Sequence, residues 1–191
     1  AERARELVEV NVLGVIYTGI AAAKVMVRQG AGAIVNVSSG AKLGQRRLGA
    51  YAASKGAVAS LTYSWALDME DAGIRVNALC PLAHTRMVWQ SERSLRACPP
   101  DRTPARVAPV ALYLLSDRAH GITGQVVRCN GSQLHVVAQP CFKTPILERD
   151  MWDTDSVARA FDEVFQAHLE PYGLEKRMPP RLRKWLPATA S

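Results

Sequence analysis

Tyr51 and Lys55 lie four residues apart, a spacing that places both side chains on the same face of a helix. A tyrosine hydroxyl by itself is a poor proton donor or acceptor near neutral pH. A neighbouring ammonium group stabilises the phenolate, so such a pair can exchange a proton with a substrate oxygen at physiological pH. Taken alone, the same spacing is also found for ordinary pairs of residues on the solvent-exposed face of a helix.

Other polar residues stand where they could complete a site around this pair. The hydroxyl pair Ser38–Ser39 closes the short β-branched run AIVNVS and precedes Tyr51 by 12 to 13 residues. Open α/β sheets bind their ligands at the carboxyl ends of strands, which is where this hydroxyl pair is predicted to lie. Asn11 lies inside a predicted helix, where packing does not require an amide, and Thr85 follows the proline that ends a second strand.

Three stretches with apolar residues at helical spacing alternate with three short, nearly all-apolar runs typical of strands buried on both faces. In chain order these elements cover residues 2–28, 33–38, 51–71, 74–80, 104–115 and 125–129. The alternation predicts an α/β fold with a parallel sheet that is covered on both faces. Residues 81–101 are predicted to be irregular, residues 140–151 to form a loop, and residues 155–169 to form an amphipathic helix.

Length and composition restrict the class of protein. The 191 residues, 48% hydrophobic and 21% charged, suffice for one domain with a real core and exclude global disorder. No run of 18 apolar residues occurs, so no membrane-spanning helix is expected. The cysteines lack C-x-x-C spacing, which argues against a zinc or other metal site and indicates a reducing, cytoplasmic setting. Cys80 and Cys129 lie within apolar runs and are predicted to be buried.

The net charge of +7 comes from residues 1–140, which hold 16 basic and 9 acidic residues. Residues 174–191 form a short basic tail, in which the segment EKRMPPRLRKW is interrupted by two prolines and only Trp185 could stack on a base. A basic tail can bind nucleic acid or an anionic membrane. Because no nucleic-acid-binding motif accompanies it, we expect a solvated tail or a subunit contact, and neither a nucleic acid nor a membrane as partner.

Five segments together resemble the short-chain dehydrogenase/reductase family. They are VNVLG (10–14), IVNVSS (34–39), YAASK (51–55), IRVNALCP (74–81) and LLSDRAHGITGQVV (114–127). The resemblance covers residues 1–134 and implies the C-terminal, catalytic part of a Rossmann-like, doubly wound parallel sheet that binds NAD or NADP. Residues 135–191 would form an extension with one amphipathic helix and the basic tail. The implied activity is hydride transfer between nicotinamide and a small alcohol or ketone.

The resemblance also implies a role for each candidate residue. Tyr51 would be the proton donor and acceptor, and Lys55 would hold the nicotinamide ribose and favour the phenolate. A serine would polarise the substrate carbonyl, and Asn11 would anchor a water in a proton relay. The residues lying against the nicotinamide end of the cofactor would be Pro81, Ala83 and Thr85. In the family the two long helices pack against those of a neighbouring subunit, which implies a homodimer or homotetramer.

The catalytic serine has two candidates. The family's serine usually stands second in a Ser-Ser pair, which favours Ser39, whereas the family's usual spacing of thirteen before the tyrosine favours Ser38. We favour Ser39, because the end of a strand fixes the register while a loop can lose one residue. If the strand continues through both residues, the two hydroxyls face opposite sides of the sheet.

The sequence departs from the family pattern in several places. Leu82 stands where the family usually has glycine, and Asn130-Gly131-Ser132 replaces an acidic-Gly-Gly segment. The sequence contains no G-x-x-x-G-x-G turn for the cofactor pyrophosphate, so the resemblance lacks the half of the family's sheet that would pair with the strand AIVNVS. We therefore expect this strand to be an apolar edge. We also expect the chain alone to fold poorly or to bind NAD(P) weakly. The alternative function is a non-catalytic binding or oligomerisation module.

Three basic residues flank the candidate site in the loop that follows the hydroxyl pair. They are Lys42, Arg46 and Arg47. A solvated loop is the simpler interpretation, and contact with an anionic substrate is the alternative.

Overall fold

Helices and strands alternate through residues 2–90 and 92–177, the part of the chain that the computed structural model describes. The chain divides into two compact units, Ala1–Ala138 and Gln139–Ser191. The helices and strands are α1 (Glu2–Val8), α2 (Gly14–Gln29), β1 (Gly32–Val37), α3 (Gly49–Asp68), β2 (Ile74–Pro81), α4 (Glu92–Ala97), α5 (Ala108–Leu115), β3 (Val126–Cys129), β4 (Leu134–Val136) and α6 (Thr154–Glu163). The order of these elements confirms the predicted α/β class.

The sheet has the order β1-β2-β3-β4, and its first three strands are parallel. In this register Ile34 lies opposite Val76, and Ala78 lies opposite Val126. β1 is the terminal strand of the sheet, as expected, and its outer edge has no partner among the described residues. The carboxyl ends of β1, β2 and β3 therefore meet at one edge of the sheet.

The fourth strand was not predicted, and it pairs antiparallel with β3. A tight turn joins the two strands. The Asn130 side-chain oxygen accepts hydrogen bonds from the backbone N–H groups of Ser132 and Gln133, and Gly131 has a φ of 91°, a conformation that favours glycine. The residues that replace the family's acidic-Gly-Gly segment thus build a hairpin.

The sheet is covered on both faces, as predicted. On one face α2 and α3 pack on β1 and β2 through a cluster that includes Ala23, Trp65 and Val76. On the other face α5 covers β2 and β3, where Leu79, Leu114 and Val127 are buried together. Strands enclosed in this way are apolar on both sides, which is why their sequences show no alternation.

The first predicted helix is interrupted. Residues Glu9–Leu13 form a π-helical segment between α1 and α2, so the predicted long helix over residues 2–28 is present but is not α-helical throughout. α2 ends at Gly30, whose φ of 67° is left-handed and whose N–H bonds back to the carbonyls of Met26 and Val27. A single extra residue within one turn produces a π segment, and hydrophobic periodicity cannot reveal it.

Residues Glu2–Gln29 together form a helix of 28 residues, within which an 18-residue window has a mean hydropathy of 1.7 and is 6% buried. By length and composition alone it could cross a membrane, which the search for an 18-residue apolar run did not anticipate. One side of this helix nevertheless belongs to the core, because Ala23 is buried and Gly19 lies directly against the Trp65 ring.

The region predicted to be irregular after β2 contains a 3-10 turn at Val88–Gln90 and the short helix α4. Cys98, just beyond α4, is fully buried. Cys80 and Cys129 are buried and unpaired, as predicted. Apolar anchors of this kind fold a polar loop onto the domain, and they are too few to produce a periodic signal in the sequence.

In the second unit, residues 140–151 form the predicted loop without helix or strand. α6 begins with a capping box in which the Asp153 side chain accepts from the Ser156 N–H. It ends at Glu163, and a 3-10 turn at Phe165–His168 replaces the rest of the predicted helix. Most of the predicted basic tail, residues 178–191, lies outside the described residues.

Candidate active site

Two hydrogen bonds fasten the carboxyl end of β1 to α3. The Ser38 hydroxyl donates to the backbone carbonyl of Lys55 at 2.7 Å, and the Lys55 Nζ donates to the backbone carbonyl of Val37 at 3.0 Å. The Ser38 N–H also continues the ladder to β2 by donating to the Leu79 carbonyl at 2.9 Å. These bonds fix the position of the Lys55 side chain relative to the sheet edge.

Lys55 is a buried ammonium beside a half-buried tyrosine. Its Nζ lies 6.0 Å from the centre of the Tyr51 ring, and the residue is only 9% exposed. Burial lowers the pKa of Lys55, because the charged form loses hydration. An ammonium group has three N–H donors, and the described residues engage one of them, so the others can bind a ligand hydroxyl.

The π-helical segment brings Asn11 to the same helix. The Asn11 side-chain amide donates to the Ser54 hydroxyl at 3.2 Å, and that hydroxyl donates to the Tyr51 carbonyl at 2.8 Å. Ser54 was not singled out from the sequence, although its position three residues after Tyr51 could have indicated it. The chain Asn11–Ser54–Tyr51 ties the first helix to the first turn of α3.

The two serines at the end of β1 have different surroundings. Ser38 is 2% exposed, and its hydroxyl is engaged with the Lys55 backbone. Ser39 is half-buried and caps the 3-10 turn Gly40–Leu43 by accepting from the Ala41 N–H at 3.2 Å. Its own proton has no acceptor among the described residues, and no hydrogen bond joins it to Tyr51 there. Ser39 therefore retains a free donor, whereas Ser38 does not.

Cys80 lies beneath this site, on β2. In the sheet register it stands next to Arg128 of β3. Burial raises the pKa of the Cys80 thiol more than the neighbouring Ser38 hydroxyl and the positive charges of Lys42 and Arg128 lower it. The thiol is therefore protonated at neutral pH and serves as packing rather than as a nucleophile.

The three residues predicted to face a cofactor follow the end of β2. Pro81 is exposed at the end of the strand, Ala83 packs against the cluster beneath α5, and Thr85 is exposed. Leu82, which stands where the family has glycine, is held by its N–H bond to the Cys129 carbonyl at 2.9 Å. These residues lie at the same sheet edge as Ser39.

The pocket described next lies away from the candidate residues, and the described part of the chain holds no cluster of metal ligands. A pocket of about 740 Å³ opens at the amino ends of β1 and β2, where Gly32 and Ile74 line it, and it contains none of the candidate residues. Within residues 2–90 and 92–177, no three His, Cys, Asp or Glu side chains converge as a metal ion would require.

The sequence and the fold of this chain are similar to those of several known proteins. The family model described as enoyl-(acyl carrier protein) reductase matches residues 1–132. A protein of Xanthobacter autotrophicus, named inactive 2-(S)-hydroxypropyl-CoM dehydrogenase 2, is 39% identical over 140 residues, which are 65% of this chain and 61% of that protein. A cis-4-hydroxycyclohexanecarboxylate dehydrogenase of Sinomonas cyclohexanicum is 37% identical over 66% of this chain and 55% of its own length.

Among solved structures, a 3-oxoacyl-[acyl-carrier protein] reductase from Brucella melitensis with bound NAD is similar at a TM-score of 0.58 and 35% identity. The match covers 66% of this chain and 50% of that one. The chain thus spans between half and about three fifths of the length of the relatives named here. The similarity includes β1, β2, β3 and the helices that carry the candidate residues.

Proposed function

Because the chain belongs to the short-chain dehydrogenase/reductase family, we propose that its carboxyl-edge site serves an NAD(P)-dependent oxidoreductase that interconverts an alcohol and a ketone. The observation that carries this proposal is the buried Lys55 ammonium, which is fastened to the end of β1 and lies beside the Tyr51 ring. Burying a charge without an anionic partner is costly, so its retention here supports a functional role.

In this proposal Tyr51 transfers the proton. Its hydroxyl gives a proton to the substrate oxygen during reduction and takes it back during oxidation. The Lys55 ammonium stabilises the Tyr51 phenolate, which is present after the proton has been donated in reduction and before it is accepted in oxidation. Ser39 donates its free hydrogen bond to the substrate oxygen as negative charge develops there. Asn11 holds the first turn of α3 through Ser54, and its position is consistent with a water-mediated proton relay.

The residues present fit the nicotinamide end of NAD or NADP. Lys55 has unengaged N–H donors that suit the ribose hydroxyls, and Pro81, Ala83 and Thr85 line the same sheet edge. When bound, the cofactor would supply or accept the hydride. The bound NAD in the Brucella melitensis reductase supports this assignment, whereas the choice between NAD and NADP stays a prediction.

We also propose that the protein assembles with further copies of itself, as a dimer or tetramer, in the cytoplasm. Large apolar side chains on the first helix and α3 are exposed, among them Val10 at 72%, Tyr17 at 65% and Leu67 at 74%. A second copy would bury them. The same contact would explain why the helix Glu2–Gln29 is apolar on its outer side without a membrane.

The two serines provide the test of the catalytic assignment. We expect Ser39→Ala to lower kcat/KM by about 10²- to 10³-fold, because it removes a hydrogen bond to the developing oxyanion. Its free energy of unfolding should fall by about 1 kcal/mol, because the Ser39 hydroxyl also caps the Gly40–Leu43 turn. Steady-state kinetics and urea unfolding of the same preparation measure both quantities.

Ser38→Ala is the matched control, one residue away and with the same chemical change. It removes a buried hydrogen bond to the Lys55 carbonyl, which keeps its helical partner, so we expect the free energy of unfolding to fall by about 1 kcal/mol. If Ser38→Ala loses activity at unchanged stability while Ser39→Ala remains fully active, the catalytic serine is Ser38 and the present assignment is wrong.

A further inference from the structure

The segments of β1, α3 and β3 that reach the carboxyl edge of the sheet carry no carboxylate. Residues 36–67 contain four Lys and Arg residues and not one Asp or Glu. Residues 126–138, which include β3 and β4, contain one basic residue, Arg128, and again no acidic one. The loop after β2 does contain acidic residues, of which Asp101 is paired with Arg106. The positive charge of the other segments at this edge attracts ligands of the opposite sign.

Two of these cations belong to, or approach, the turn that begins at the candidate catalytic serine. Lys42 belongs to the 3-10 turn that Ser39 caps, so the two residues are three positions apart on one tight turn. Arg128 approaches the same turn from β3, because a methyl group added at Gly40 would lie 3.7 Å from the Arg128 Nε. Gly40 directly follows Ser39. Both cations are also close enough to Cys80 for their charges to act on its thiol.

Neither cation has an anionic partner in the part of the chain that the structure describes. Elsewhere in that part, arginine and lysine form ion pairs, as in Arg106 with Asp101 and Lys143 with Glu170. Lys42 and Arg128 are half-buried, whereas both members of each of those pairs are largely exposed. Lys42 and Arg128 are thus partly desolvated without an anionic partner among the described residues, an arrangement that costs stability and that a bound anion would offset.

We propose that Lys42 and Arg128 bind an anionic group of the substrate, so that the enzyme acts on an alcohol or ketone that carries a carboxylate, sulfonate or phosphate. This inference rests on the proposed oxidoreductase function and names its substrate class. The planar guanidinium of Arg128 suits two oxygens of one oxyanion, and the Lys42 ammonium adds a point charge. The exposed Arg46 and Arg47 increase the rate of encounter without fixing the bound position.

The kinetic test compares short hydroxy acids with their methyl esters, which differ in charge and hardly in shape. We expect the parent protein to prefer the acids, with a ratio of kcat/KM values of about a hundred. Arg128→Gln and Lys42→Gln should each lower that ratio by about tenfold or more, mainly through KM. Arg118→Gln is the matched control, because Arg118 lies before β3 and beyond the amino end of that strand, and it should leave the ratio unchanged.

A binding test separates this inference from the oxidoreductase function. Calorimetric titration of the complete natural polypeptide with 3-hydroxybutyrate, isethionate and inorganic phosphate reports anion binding without turnover. We expect saturable binding of at least one of them that is weakened in Arg128→Gln and in high salt. If these anions bind in this way but no substrate turns over, the anion site stands and the oxidoreductase proposal fails.

Two results would overturn the inference. One is an acid-to-ester ratio that Arg128→Gln and Lys42→Gln leave at the parent value. The other is displacement of the bound anion by NADH or NADPH in direct competition, since the two cations would then hold a phosphate of the cofactor. Folding of each variant is checked by its urea unfolding midpoint, so that a loss of binding is read only from folded protein.

Discussion

Replacing Tyr51 with phenylalanine should lower kcat by about a thousandfold while leaving nicotinamide binding nearly unchanged. The change removes only the hydroxyl, and the Lys55 ammonium 6.0 Å from the ring centre keeps its bond to the Val37 carbonyl. Because proton transfer to the substrate oxygen would then fall to water, the loss should appear in kcat rather than in KM. Steady-state kinetics, together with fluorescence titration of the reduced cofactor, measure both effects.

Tyr63→Phe is the matched control on the same helix. The Tyr63 hydroxyl is buried and is without a hydrogen-bond partner among the residues that the structure describes. Its ring packs against Ala78, Cys80 and their neighbours beneath the sheet. Removing an unsatisfied buried hydroxyl should keep turnover intact and leave the protein as stable as before or more so. Equal kcat values for Tyr51→Phe and Tyr63→Phe would remove Tyr51 from its proposed role.

Gly19→Ala should lower the free energy of unfolding by about 1–3 kcal/mol, because it overfills the contact between α2 and α3. A methyl group at Gly19 would overlap two atoms of the Trp65 ring, and that ring is buried in the core. The ring or the whole of α2 must therefore move. Urea unfolding at equilibrium, with unchanged slope, measures the loss.

Gly56→Ala makes the same chemical change within α3, where the added methyl group would meet no atom within 4 Å. It should raise the free energy of unfolding by up to about 1 kcal/mol through helix propensity. Gly19→Ala should cost less stability in a Trp65→Leu background than in the parent protein, since the smaller side chain relieves the contact, although Trp65→Leu itself is destabilising because it leaves a cavity. The packing account fails if Gly19→Ala leaves the free energy of unfolding unchanged in the parent protein or costs the same in both backgrounds.

Local patterns in the sequence were sufficient to predict most of the fold. The runs that become β1, β2 and β3 are short and apolar because each strand is enclosed by helices, and Gly30 marks the end of α2 by its left-handed backbone. The hairpin to β4 and the π segment were missed for a common reason. Both depend on the local backbone geometry of a few residues, and hydrophobic periodicity does not contain that information.

The site was predicted in its parts rather than in its geometry. The spacing of Tyr51 and Lys55 follows from helical geometry, so their proximity could be anticipated. The distinct surroundings of Ser38 and Ser39 could not be anticipated. Strand geometry predicts that the two side chains point to opposite faces of the sheet, but the sequence does not show which face α3 covers. Arg128 was missed because its proximity to Gly40 depends on the pairing of β2 with β3, which brings distant segments together.

Transfer of a labelled hydride tests the central proposal most directly. The complete natural polypeptide is incubated with NADH or NADPH deuterated at the transferable position and with a panel of charged ketones, and the alcohols are analysed by mass spectrometry. The account predicts deuterium on the carbinol carbon of at least one product, and its loss in Tyr51→Phe. Folded protein that transfers no label from either cofactor, or that transfers it equally well without the Tyr51 hydroxyl, would contradict the account.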